Sequence, residues 1–214
     1  MGRKPDPAVR ERILQQAEHV IHLKGFNAAS MDAIAKASGM TKANLFHHYG
    51  SKADLALAVL DFKIAELQSR KVEPLCGEGA PEEAVSRMFE EAEGFFGGIG
   101  CKAGCFVGNI TLEMSDCDEV IRERVGRFFA AWASSMAQCL ERAKASGYFR
   151  ESLDPRSSAE AIVSLYEGSI MLARCQRDAT IFRRVGAVAR NILEQHKAGD
   201  RRDNTMGPKT PCGC

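Results

Sequence analysis

The 214-residue chain contains no uninterrupted apolar run approaching 18 residues, so no segment reads as a membrane-spanning helix. Its charged start, Met-Gly-Arg-Lys-Pro-Asp-Pro, lacks the apolar stretch that a secretory signal would place behind it. Asp6 stands where a myristoylation pattern needs Ser or Thr. These absences predict a cytoplasmic protein with no membrane partner. The chain has eight cysteines but not the spacings of a metal site. No Cys-x-x-Cys pair occurs, Cys101 and Cys105 are separated by three residues, and Cys212 and Cys214 by one. No second pair or nearby His completes a zinc set, so neither metal nor other cofactor is expected. In a cytoplasmic chain the cysteines read as thiols. Seven prolines and 19 glycines exclude a collagen-like chain, and a hydrophobic content of 45% excludes a mostly disordered one.

A surplus of charge of one sign is also missing. The 29 basic and 28 acidic residues leave a net charge of +1, which taken alone argues against a nucleic-acid partner. Divided along the chain, the balance changes. Residues 1–72 carry 11 basic and 7 acidic side chains, residues 73–200 carry 15 and 20, and residues 201–214 carry 3 and 1. A basic head is joined to an acidic body, which points to nucleic-acid contact through one end.

Apolar residues recur at helical spacing almost throughout. Ile13, Ala17, Val20, Ile21 and Leu23 form a stripe over about residues 8–24 that Gly25 ends. Ser30 caps a short helix from Met31 to about Ser38, and Thr41 caps the next, to about Tyr49. Ser51 opens a long helix with Leu55, Val59, Phe62 and Leu67 on one face. Residues 74–81 read as a linker, and Pro81 with Glu82 and Glu83 starts a helix that fails at Gly97-Gly98-Ile99-Gly100. Further helices are predicted over about 104–115, 118–146, 155–176 and 179–197. No stretch alternates as a strand does. The expected fold is all-α, with a basic head over 1–52, a helical body over 53–200, and a disordered tail over 201–214.

Two short helices joined by Gly39, Met40 and Thr41 make a helix-turn-helix, whose second helix can enter a major groove. On a helical wheel Lys42, Ala43, Phe46 and His47 share one arc, with Asn44 and His48 flanking. Leu45 and Tyr49 fall on the packed side. Lys52, near a helix N-terminus, suits a phosphate. The whole stretch from Gly25 to Lys52, with Ser30-Met31-Asp32-Ala33-Ile34-Ala35, Gly39-Met40-Thr41-Lys42, Leu45-Phe46-His47-His48-Tyr49 and Ser51-Lys52 in register, resembles the signature of the TetR family of transcriptional regulators. The resemblance covers about residues 8–60. It implies a helix-turn-helix DNA-binding domain over 1–52 and a helical ligand-binding and dimerisation domain over 53–200, in a homodimer that binds a palindromic double-stranded DNA operator and answers to a small-molecule effector. By the same resemblance Lys42, Ala43 and Phe46 would meet base edges, and Thr41, Asn44, His47, His48 and Lys52 phosphates. Arg3 and Lys4, in an arm before the first helix, would reach an adjacent groove. The sequence departs from the family in having Phe46 where Tyr is usual and Tyr49 where Phe is usual. Phe46 cannot donate a hydrogen bond, which leaves it contact with a thymine methyl.

In the body, most aromatic and Met side chains read as bundle core, but pockets between bundle helices are frequent ligand sites. Phe128, Trp132 and Met136, four apart on the long helix, form the stripe expected to line such a pocket, with Phe106 and Tyr166 as further candidates. The last two helices carry apolar faces, Ala159, Ile162, Val163, Tyr166, Ile170 and Leu172, then Ile181, Val185, Val188 and Ile192. In the family the corresponding pair dimerises as a four-helix bundle. The stretch Gly104-Cys105-Phe106-Val107-Gly108-Asn109 resembles the start of a body helix in one branch of the family, some of whose members sense oxidants or electrophiles through a cysteine there. A helix N-terminus and nearby Lys102 favour a thiolate at Cys105, with Cys101 as resolving thiol. The plainer reading is a small buried hydrophobe. His19 and His22, one turn apart, read as a solvated or partly packed face and not as metal ligands.

The function expected is a repressor released by a ligand or by thiol modification; an activator is the alternative. A thiol enzyme would need a base near Cys105, and the only His of the body is His196.

Overall fold

The computed structural model describes residues 6–69 and 79–198. Arg3, Lys4 and the 201–214 tail lie outside the described residues. Among those described the chain forms nine helices: α1 (Pro7–Lys24), α2 (Met31–Ala37), α3 (Lys42–His48), α4 (Lys52–Leu67), α5 (Pro81–Gly98), α6 (Phe106–Met114), α7 (Glu119–Ala145), α8 (Pro155–Gln176) and α9 (Thr180–Glu194). The all-α expectation holds. The boundaries follow from local chemistry, since each helix start leaves backbone N–H groups that a short polar side chain can satisfy. Ser30 accepts from the Ala33 amide, Thr41 from Asn44, Ser51 from Asp54, Asp118 from Ile121, and Asp154 from Arg156 and Ser157. Gly25 ends α1 at φ 81°, a conformation that costs a side-chain-bearing residue extra energy.

In the head, α1 packs on α2 and α4, and α2 on α3. Ile13, Ala17, Ile34, Leu45, Leu55 and Val59 are wholly buried there. Leu23, read as part of the inward stripe, is instead 64% exposed. It lines one surface depression with the exposed Leu112 of α6.

The body is held by α5 against α9 and by α8 between α7 and α9. Its centre is a chain of rings. Trp132 lies edge-on to Tyr166 at 5.3 Å, Tyr166 edge-on to Phe89 at 5.5 Å, and Phe96 stacks on Phe182 at 5.2 Å. Gly186 lets α9 approach α5, because a Cβ there would fall 2.7 Å from Phe89 Cβ. The end of the described chain is clipped back onto the α7–α8 turn. Arg150 N–H donates to the His196 carbonyl at 2.8 Å and Ala198 N–H to the Tyr148 carbonyl at 3.0 Å. There Lys197 and the Tyr148 hydroxyl both meet the buried carboxylate of Glu82.

Two sequence expectations change. Cys101, Cys105, Cys117 and Cys175 are in no disulfide, but Cys139 is disulfide-bonded. The apolar residues expected on the dimer faces of α8 and α9 also divide between the interior and the surface. Ala159, Ile162, Tyr166, Ile170 and Ile181 are buried within the subunit. The rest of the expected set faces outward, exposed Leu172 on α8 and half-buried Val185 and Ile192 with exposed Val188 on α9, joined by half-buried Leu165. A helix that is apolar on two sides offers no sequence signal to say which side meets its own subunit.

Candidate nucleic-acid interface and cavity

The head presents α3 as the sequence pattern predicts. Leu45 is fully buried and Tyr49 nearly so, with the Arg10 guanidinium 5.8 Å from the Tyr49 ring centre. These two anchor the helix, and Thr41, Lys42, Ala43, Asn44, Phe46 and His47 are exposed together along it. His48 is half-buried, its ring edge-on to His47 at 6.1 Å. Phe46 keeps 41% of its surface in solvent, a large apolar side chain with no covering group in the free protein. Lys42 donates to the Asp32 carboxylate of α2 at 2.7 Å, a partner that the sequence reading did not assign. Lys52 is committed too. Its ammonium donates to the Asn27 carbonyl at 3.1 Å and sits 4.5 Å from the Phe26 ring centre, so it braces the α1–α2 turn while remaining at the α4 N-terminus.

A cavity of about 300 Å³ lies where the head meets the body. Met88, Ala92, Phe96, Phe106, Tyr166 and Ile170 form its apolar wall, and His22, Lys63, Glu66, Arg87 and Glu91 its polar edge. The volume is at the small end of the range for ligand pockets. Of the predicted lining, Phe106 and Tyr166 are on the wall. Phe128, Trp132 and Met136 are 1–3% exposed and outside it, because their side of α7 packs into the ring cluster. Burial pushes the Tyr166 hydroxyl well above its ordinary range, and the nearby Glu167, Cys105 and Glu91 add to the rise.

Cys105 also lines the cavity and caps α6, its Sγ accepting from the Gly108 N–H at 3.3 Å. The Glu167 carboxylate approaches the same turn, 2.8 Å from where a Cβ on Gly108 would stand. Cys101 is buried at φ 52° with its carbonyl held by Arg177 at 2.6 Å, and Lys102 is exposed.

Sequence reasoning missed the role of α1 here. His22 comes from the head to the cavity wall, its Nε2 2.9 Å from the Gly104 carbonyl and its ring edge-on to Phe106 at 5.7 Å. Its Nδ1 lies 3.4 Å from Glu18, whose carboxyl is held below its usual range: burial raises it, but the His22 contact and Lys63 outweigh burial. At the other end of α6, the Glu113 carboxylate accepts from the Phe26 and Asn27 amides, both at 2.7 Å. Thus α6 is tied to the head at both ends. Only folding brings these distant residues together, so no local pattern could reveal them. Among the described residues no group of three or more His, Cys, Asp or Glu could hold a metal, and no helix is long and apolar enough to cross a membrane.

Two parts of the chain match known families. Residues 13–59 match the family described as bacterial regulatory proteins, tetR family, and residues 81–189 match the tetracyclin repressor-like C-terminal domain. The chain is 24% identical to the HTH-type transcriptional repressor DhaR of Mycobacterium sp. (strain GP1), over 83% of this chain and 87% of that protein. It is 29% identical to the transcriptional regulator AcuR of Cereibacter sphaeroides, over 80% of each. It is 21% identical to the HTH-type transcriptional repressor NemR of Escherichia coli, over 90% of this chain and 98% of that one. Among solved structures, a TetR transcriptional regulator from Chloroflexus aurantiacus superposes with a TM-score of 0.79 at 23% identity, covering 89% of this chain and 96% of that one. The reduced form of E. coli NemR superposes at 0.76 with 22% identity, covering 86% and 97%.

Proposed function

This chain belongs to the TetR family of DNA-binding transcriptional regulators, and from that premise we propose that it acts as a homodimeric repressor, released from a palindromic operator by a small molecule or by modification of a thiol. The observation that carries this reading is the placement of α6, one side of which walls the cavity while its two ends hold the head. A molecule that prefers a different position of Phe106 and Cys105 would shift the population toward a different head orientation. Two heads then no longer match successive major grooves. The relatives DhaR and NemR, named as repressors, support repression over activation.

At the DNA, Lys42, Ala43 and Phe46 would meet base edges, with Phe46 against a thymine methyl. Thr41, Asn44, His47 and His48 would hold phosphates, and Lys52 would reach one from the turn it braces, with Arg3 and Lys4 added from the arm. In the body, Phe106 and Tyr166 would touch the effector, whereas Phe128, Trp132 and Met136 would act behind the wall. Dimerisation would use the outward stripe of Leu165, Leu172, Val185, Val188 and Ile192. The 1–52 head would end where Lys52 begins α4, and the protein would work in the cytoplasm.

Release through Cys105 is favoured by its position on the cavity wall at the first turn of α6, with Cys101 four residues before it as the resolving thiol. The test is operator affinity, on duplexes selected from a random library, as a function of salt and oxidant. Lys42→Ala and Lys52→Ala should each weaken binding, and loss of the Lys52 phosphate contact should lower the salt slope by about one unit. Cys105→Ser should bind as tightly as wild type yet keep its grip when oxidant is added. Unchanged affinity in Lys42→Ala overturns the docking, and release of Cys105→Ser by oxidant overturns the thiol route.

A further inference from the structure

The contact between Lys42 and Asp32 has a consequence beyond which residues face DNA. Lys42 opens α3 and is 52% exposed, and Asp32 lies in the first turn of α2 with 66% of its side chain exposed. Their 2.7 Å hydrogen bond therefore spans the outer edge of the helix-turn-helix and supports no core. Asp32 is the sole acidic residue in the stretch from Gly25 to Ser51, a segment with basic Lys36 and Lys42. A carboxylate on a surface that approaches phosphates is unfavourable for non-specific binding, since that mode is almost wholly electrostatic.

We infer that Asp32 is a positioning residue for Lys42, setting the specificity of the DNA interface by keeping that ammonium away from phosphates and aimed at the groove. The inference rests on the DNA-docking reading above. An ammonium has three donors. One remains on Asp32 while the others reach an acceptor on a base edge, such as guanine O6 or N7. On a sequence that offers no such acceptor, Lys42 stays paired with Asp32 and displaces no counterion. Discrimination then comes from a repulsive element built into the reading head as well as from its attractive contacts.

The experiment measures binding of the full-length protein to two 30-base-pair duplexes, one selected from a random library by the wild type and one of scrambled sequence, across a salt series. The variants are Asp32→Asn, Lys42→Ala and the double variant. With Asp32→Asn, affinity for the scrambled duplex should rise roughly fivefold, the effect of removing one unit charge about 4 Å from another in water. The scrambled-duplex salt slope should steepen by about one unit, because Lys42 now neutralises a phosphate. Affinity for the selected duplex should change less, so the ratio of the two falls. In the Lys42→Ala background, Asp32→Asn should leave the scrambled-duplex slope unchanged. A merely structural Asp32 would move the unfolding midpoint but not these slopes. If Asp32→Asn alters neither scrambled-duplex affinity nor slope while Lys42→Ala weakens the selected duplex, the inference is wrong and the docking stands. A slope effect of Asp32→Asn that persists unchanged in the Lys42→Ala background also overturns it. If Lys42→Ala affects neither duplex, the docking itself has failed.

Discussion

Replacing Glu113 by alanine removes the tie between the far end of α6 and the head. Both carboxylate oxygens are used, Oε2 by the Phe26 amide and Oε1 by the Asn27 amide, each at 2.7 Å. A hydrogen bond to a charged group contributes about 1.5–3 kcal/mol. The two are unequal here. The Phe26 contact is partly buried, so loss leaves a donor that water reaches poorly, whereas the Asn27 contact is exposed and water replaces the oxygen. The expected cost of Glu113→Ala is therefore about 2–3 kcal/mol, below the sum of two full contacts. Hydrogen exchange at these two amides reads that cost directly, because local opening sets their protection. Protection of Phe26 should fall by a factor of roughly 30–150, with a smaller fall at Asn27. Glu113→Gln should behave nearly as badly, since its NH2 group would face one of the two donors. If Phe26 exchange in Glu113→Ala stays within about threefold of wild type, α6 does not hold the head in this way.

Two further perturbations test the body. Gly186→Ala puts a methyl 2.7 Å from Phe89 Cβ, so it should destabilise the chain by about 1–3 kcal/mol in urea unfolding; an unchanged midpoint would mean that α5 and α9 are not so closely packed. The Glu82 carboxyl is held below its usual value, since hydrogen bonds from Lys197 and Tyr148 outweigh the burial that raises it. A depressed folded value means that its stabilisation is present above the unfolded value of 4.5 and is lost as pH falls through the folded one. Glu82→Gln should therefore lower stability at neutral pH and flatten the acid limb of a stability–pH curve, whereas a parallel shift at all pH values would contradict the linkage.

The helices were legible in the sequence because their determinants are local. Ser30, Thr41, Ser51, Asp118 and Asp154 each cap an amide two or three residues away, and the inward faces of α3 and α4 follow from spacing alone. The recognition surface was legible for the same reason, with Leu45 buried among exposed neighbours. The cavity was only half legible. Phe106 and Tyr166 belong to it, but its remaining wall comes from α1, α4 and α5, and the Phe128–Trp132–Met136 stripe that looked like lining is core. Periodicity identifies an apolar face without saying whether it meets a ligand, a neighbouring helix or a second subunit. That is why the residues expected on the dimer face proved to be split, with Ala159, Ile162, Val163, Tyr166, Ile170 and Ile181 interior while Leu172 and Val188 are exposed on the surface. His22 and Glu113 had no signal at all, since their partners lie 82 and 86–87 residues away along the chain.

Under the proposed function, two copies of this chain read one operator through α3. Sedimentation of the protein with a duplex selected from a random library, compared with a scrambled duplex at the same salt, tests it most directly. The expected result is a complex of two protomers on the selected duplex, bound at least about a thousandfold more tightly than the scrambled one. A single protomer on the duplex, or equal affinity for the two sequences, would contradict it.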